Sequence, residues 1–230
     1  MISACRWPDV VSAEVSRDLD RLTAEHQKGL GGIPLIQSAD HEIFELGIQH
    51  ATVNFVLDGL ISKDPKPGLK PIAFEGQRYF LNEKFLQGKD ATIQHLCDRG
   101  IIVTCILLIG NREGSLMTHP EAEPRGTFAM PNLASEQGAK LYRAALDFLT
   151  NRYATKERRI TNWVIHNEVD QAGTWTNMGD QPLGRYLETY MRSARLVYHA
   201  ARLRDPHARM FISLTHHWSK TSPGVGVYNV

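Results

Sequence analysis

Residues 160–179 read ITNWVIHNEVDQAGTWTNMG, and this stretch decides how the chain is read. Trp163, Val164 and Ile165 form a strand-like apolar run that turns polar at His166, Asn167, Glu168 and Asp170. A loop rich in Gly, Trp and Asn follows, ahead of a long helical pattern. An apolar strand whose carboxyl end turns polar, set between two helices, is where α/β enzymes keep their chemistry. Glu168 is therefore the expected centre of a site.

Working outward, strand-like and helix-like segments alternate. Strands are expected near residues 33, 50, 101, 160 and 209, the most apolar being IIVTCILLIG over 101–110. The first of them is placed at Ile33 to Ile36. Asp40 can cap a helix through Leu46, with Gly47 closing it. SKDPKPGLKPIAFEGQRYFLN over 62–82 reads as a proline-rich loop and then a small hairpin turning at Glu75-Gly76. A helix beginning at Asp90 carries Ile93, Leu96 and Cys97 and stops at Gly100. A second is capped by Asn132, with Leu141, Ala145, Phe148 and Leu149 as its inner stripe. A third starts at Pro182 and repeats Leu183, Leu187, Tyr190, Met191, Ala194 and Val197; its aromatics read as packing. Val15, Leu19 and Leu22 share one helical face, which predicts an N-terminal helical arm over residues 1–28. The polar segment from Gly110 to Pro131 is too long for a mere connection, so a functional or mobile role is expected.

Alternating strands and helices, with no strand showing a polar face, imply a parallel sheet. Doubly wound sheets and (β/α)8 barrels both fit this order. The polar carboxyl ends of several strands favour the barrel, with residues 29–230 as its N-terminal part. A full barrel takes about 250 residues, so five strands in 230 residues predict an incomplete one. Its open sheet edge predicts self-association.

Composition narrows the partners. Twenty-six basic and 25 acidic side chains give a formal charge of +1, which carries no electrostatic footprint for nucleic acid or anionic lipid. Cys5, Cys97 and Cys105 show neither paired spacing nor a zinc pattern, so no metal or other cofactor is expected. The ten-residue apolar run is too short to span a bilayer. The first twenty residues lack an apolar signal core, so no export signal is expected and the compartment is left open.

In an extended strand, side chains two apart share a face, so His166, Glu168 and Asp170 would point one way and Asn167 the other. For Asn167 and Glu168 both to enter a cleft, the strand must twist or bulge at its end. The last strand ends in His216, His217 and Trp218, expected at the same rim. Trp175 and Trp218 offer flat faces for sugar C–H groups, while His166, Asn167, His216 and His217 offer polar contacts to hydroxyls. A carboxyl among such walls would have its neutral form favoured, as a general acid requires. Asp58 could line the rim too, although Asp before Gly is first of all turn chemistry.

This pattern fits glycoside hydrolysis, and one resemblance is more specific. WVIHNEVD resembles the fourth barrel strand of retaining glycoside hydrolases of clan A, which ends in an Asn-Glu pair. The resemblance implies Glu168 as general acid/base and Asn167 as a contact to the sugar 2-hydroxyl. Together KGL, ELGIQHATVNF, RYFLN, GIIVTCILLIG, HNEVDQAGTWTNMG and FISLTHHW resemble an uncharacterised barrel family, domain of unknown function 5722, over roughly residues 28–218. The implied fold is a (β/α)8 barrel and the implied activity is hydrolysis of a carbohydrate. Clan A carries its nucleophilic Glu on the seventh strand, so the expectation is a piece of a longer protein. Two alternatives stand beside it: a metal-dependent hydrolase using His166, Glu168 and Asp170 with nearby His216 and His217, and a non-catalytic or truncated carbohydrate-binding barrel.

Overall fold

The computed structural model describes residues 18–215. In chain order its elements are β1 (Gly29–Leu30), β2 (His50–Val56), β3 (Ile61–Ser62), β4 (Lys70–Phe74), β5 (Gln77–Leu81) and α1 (Glu83–Cys97). Then come β6 (Ile102–Leu108), α2 (Glu136–Arg152), β7 (Asn162–Ile165), α3 (Ala172–Trp175), α4 (Leu183–Arg204) and β8 (Arg209–Phe211). Five strands form a wholly parallel sheet in the order β1-β2-β6-β7-β8, so neighbours in the sheet follow one another along the chain. A three-stranded antiparallel sheet, β3-β5-β4, is inserted between β2 and α1. The fold is thus mixed α/β. Among the described residues no helix is long and apolar enough to cross a membrane.

Register explains the layering. Val53 faces Cys105 and Cys105 faces Trp163, while Phe55 faces Leu107 and Leu107 faces Ile165. All six side chains are buried, and with alternation of period two they form the sheet face covered by the helices. Phe55 meets the rings of Phe85 in α1 and Tyr153 just after α2. The opposite face carries Thr52, Asn54, Thr104, Ile106 and Val164, all at least partly exposed. The strands were expected to lack a polar face; this second face is mixed, and among the described residues no helix covers it.

Several local expectations shift. No strand forms at Ile33 to Ile36, because the Ile36 amide donates to Thr92 Oγ1 (2.7 Å) rather than to a ladder; the first strand is the two-residue β1. Residues 18–28, the described part of the expected N-terminal arm, contain no helix. The turn before β2 is a 3-10 helix, Glu42–Leu46, closed by Gly47 in the left-handed region (φ 61). Its cap is His41, whose ring accepts from the Ile43 amide. α1 starts at its cap Asn82, so Asp90 lies inside the helix, where it binds Arg152 and Tyr153 Oη. Ser135, not Asn132, caps α2. Asn132 instead accepts from the Ser135 amide (3.1 Å). The hairpin at Glu75-Gly76 forms as expected, with both residues left-handed.

The largest correction is the facing of α4. Its buried residues are Tyr186, Tyr190, Ser193, Val197 and Ala201, whereas Leu183, Leu187 and Met191 are 49%, 46% and 45% exposed. Apolar residues occupy two stripes of this helix, and the one containing hydroxyls faces the sheet. Beneath the site, Arg159 and Asp205 form a buried two-pronged ion pair (2.8 and 2.9 Å). It ties the approach to β7 to the end of α4, and Arg159 also donates to Asp20 O.

Candidate functional site

The carboxyl ends of β2, β6 and β7 reach one level, since Val56 faces Leu108 and Leu107 faces Ile165. Just past these ends, Asp58 accepts from the Gly110 amide (2.8 Å), and Arg112 Nε lies 2.9 Å from its other oxygen. Asp58 thereby ties two loops together, and its side chain is only 4% exposed. A Cβ at Gly110 would press on that carboxylate.

At the end of β7 the backbone departs from extended geometry. His166 and Glu168 have φ of 60° and 38°, a left-handed region that side chains other than glycine rarely adopt. Two such residues bracketing Asn167 undo the alternation expected from the sequence. His166 turns to the helix-covered side and is fully buried. Its Nδ1 faces Leu107 O (3.2 Å) and its Nε2 faces Ser193 Oγ (3.0 Å). Burial lowers its pKa to about 4, so it is a neutral packed residue rather than a group on the rim.

Asn167 and Glu168 stay partly exposed. Asn167 Oδ1 accepts from Ser213 Oγ (3.1 Å), and among the described residues nothing accepts from its amide NH2. The Glu168 backbone carbonyl accepts from the Gln171 amide (2.8 Å), whereas its carboxylate has no hydrogen bond or ion pair with any described group. Val169 N donates to Ser213 O (3.0 Å), so the segment after β7 runs beside the segment after β8. Below them, on the uncovered sheet face, a 380 Å³ concavity is lined by Thr52, Thr104, Ile106, Val164, Ile212 and Ser213.

Asp170 is buried and accepts from the Thr215 amide (2.9 Å) and hydroxyl. His166, Glu168 and Asp170 therefore do not share a face, contrary to the expectation for an extended strand. Among the described residues no cluster of three or more His, Cys, Asp or Glu side chains is arranged to hold a metal ion.

Trp175 is half-buried and lies flat on Phe128, with ring centres 5.3 Å apart and planes within 7°. This stack joins α3 to the long 110–131 loop. Thr127 N and Phe128 N both donate to Thr174 O, and Met130 N donates to Asn177 O. Asn177 and Asn111 both donate to the carbonyls of Glu123 and Arg125. The long loop is thus a tied structure, not a loose connection. His216, His217 and Trp218 lie outside the described residues.

The sequence reading missed Ser213, Phe128 and the hydroxyls of α4. Tyr186, Tyr190 and Ser193 at spacings of four and three were the available signal, hidden by a stronger apolar repeat beside them.

A family model described as "Family of unknown function (DUF5722)" matches residues 21–230. The chain belongs to this family. In this DUF5722 chain the match includes every residue of the site described above and the three that lie beyond it. No curated protein matches the chain.

Proposed function

We propose that these residues form the N-terminal part of a (β/α)8 barrel and supply the general acid/base of a retaining glycoside hydrolase, with Glu168 in that role. The observation that carries the reading is the presentation of Glu168. A carboxylate with no partner among the described residues follows the fourth strand of a sequential parallel sheet on a left-handed residue, beside an Asn whose oxygen is already anchored.

The barrel reading draws support from where apolar surface is left uncovered. Leu30, Leu35 and Leu46 are exposed near the first strand, and Leu183, Leu187, Met191, Phe211 and Ile212 near the last. Further βα units closing the arc would cover both ends, and the uncovered sheet face would become the barrel interior.

In this reading Glu168 donates a proton to the leaving glycosidic oxygen, then takes one from the incoming water. Asn167, with Oδ1 fixed by Ser213, turns its NH2 toward the sugar 2-hydroxyl. Retention requires a second carboxyl roughly 5–5.5 Å away. Asp58 and Asp170 are both buried and engaged, so the reading assigns the attacking carboxylate to a strand that completes the barrel, outside these 230 residues.

The test is a glycoside panel on the natural protein and its Glu168→Gln variant. Turnover of substrates with poor leaving groups should fall by about 10²–10⁴-fold, and nitrophenyl glycosides should suffer less in the bond-breaking step. Equal turnover by the variant would remove Glu168 from the mechanism.

A further inference from the structure

We propose that α4 is the positioning element of this site, with Tyr186, Tyr190 and Ser193 setting the direction in which Asn167 and Glu168 leave β7. The inference rests on the role given to Glu168 above and adds the residues that aim it.

The three residues lie on one stripe of the helix, at spacings of four and three, and each bonds to the segment that carries the pair. Tyr190 Oη donates to Ile165 O (3.2 Å), Ser193 Oγ meets His166 Nε2 (3.0 Å), and Tyr186 Oη donates to Val169 O (2.7 Å). The anchored positions, 165, 166 and 169, straddle Asn167 and Glu168, and none of the bonds uses either side chain. The helix thus holds this segment through two backbone carbonyls and the His166 ring, and engages neither functional side chain.

Proton directions follow from the acceptors. His166 Nδ1 faces the Leu107 carbonyl, so in the neutral ring Nδ1 carries the hydrogen and Nε2 accepts from Ser193. Ser193 in turn accepts from Tyr142 Oη (2.9 Å). This chain of donors reaches from α2 through α4 to the left-handed turn. Packing alone would be served by apolar side chains here. Fully buried hydroxyls with a fixed donor order specify one backbone conformation, which the two left-handed residues require.

The experiment compares the natural protein with Tyr190→Phe, Ser193→Ala and the double variant. It reads kcat and KM on an aryl glycoside, together with amide hydrogen exchange at Val169, Gln171 and β6. The inference expects kcat of the double variant to fall about ten-fold with KM within about two-fold. Exchange at Val169 and Gln171 should quicken at least about ten-fold while β6 is unchanged, and Ser193→Thr, which keeps the hydroxyl, should be spared most of the loss that Ser193→Ala shows. Unchanged kcat, or exchange that quickens equally in β6, overturns the inference. Should the double variant fail to fold, Tyr190→Phe alone, which removes a single oxygen, decides on the same criteria. A wild type inert toward every glycoside would count against the glycosidase reading alone. The exchange comparison would then judge α4, with unchanged rates at Val169 and Gln171 overturning it.

Discussion

At the residue scale, His166 links stability to pH. An unfolded histidine takes up its proton near pH 6.5, while burial holds this one back until about 4. Between those values the unfolded chain binds more protons, so stability rises with pH. The contribution is complete above about pH 6.5 and drains away as pH falls toward 4, a span worth about 3 kcal/mol. Urea midpoints at pH 4.5 and 7.5 should differ more in the wild type than in His166→Asn, which suits a left-handed position but cannot gain the charge. Equal differences in the two proteins would contradict this account. The Arg159–Asp205 pair gives a second expectation. Asp205→Ala strands a buried guanidinium and should cost about 3–5 kcal/mol, whereas removing Glu121 from its exposed pair with Arg185 should leave stability nearly unchanged. Denaturant titration of both variants checks the contrast. The strand end before Asn167 and Glu168 was legible in the sequence because an apolar run gives way to polar residues there. The turning of His166 was not, because alternation presumes extended backbone and nothing in HNEVD announces two left-handed residues.

At the element scale, the central strands β2, β6 and β7 and the three long helices could be read from periodicity, since each buries a long apolar face. What escaped were features set by contacts distant in sequence. α4 has two apolar stripes, and the stripe with Tyr186, Tyr190 and Ser193 is selected by the Val169 carbonyl, the Ile165 carbonyl and the His166 ring that these hydroxyls meet. Likewise Asp90 resembles a helix cap until Arg152 and Tyr153, about sixty residues later, claim its carboxylate. The long loop makes a further prediction. Gly126 is left-handed (φ 78), and a Cβ there would run into the Gly173 carbonyl. Gly126→Ala should destabilise by about 1–3 kcal/mol and separate Phe128 from Trp175. A lowered melting temperature with altered tryptophan fluorescence is expected; unchanged values of both would mean that the two loops are not joined at this point.

At the scale of the whole molecule, strand order equals chain order across the five-stranded sheet, and uncovered apolar residues collect at its two ends. The 230-residue chain by itself should self-associate through this surface. Sedimentation velocity should show association that weakens when Leu187 and Ile212 are replaced by Lys; a concentration-independent monomer would contradict it. The central claim, that Glu168 performs proton transfer at the mouth of a sugar-cleaving barrel, is met most directly by chemical rescue. In the natural protein, Glu168→Ala should process an aryl glycoside slowly and recover in azide, which needs no general base, yielding a glycosyl azide of retained configuration. Wild-type turnover by the Glu168→Ala variant, with no response to azide and no azide adduct, would contradict the account.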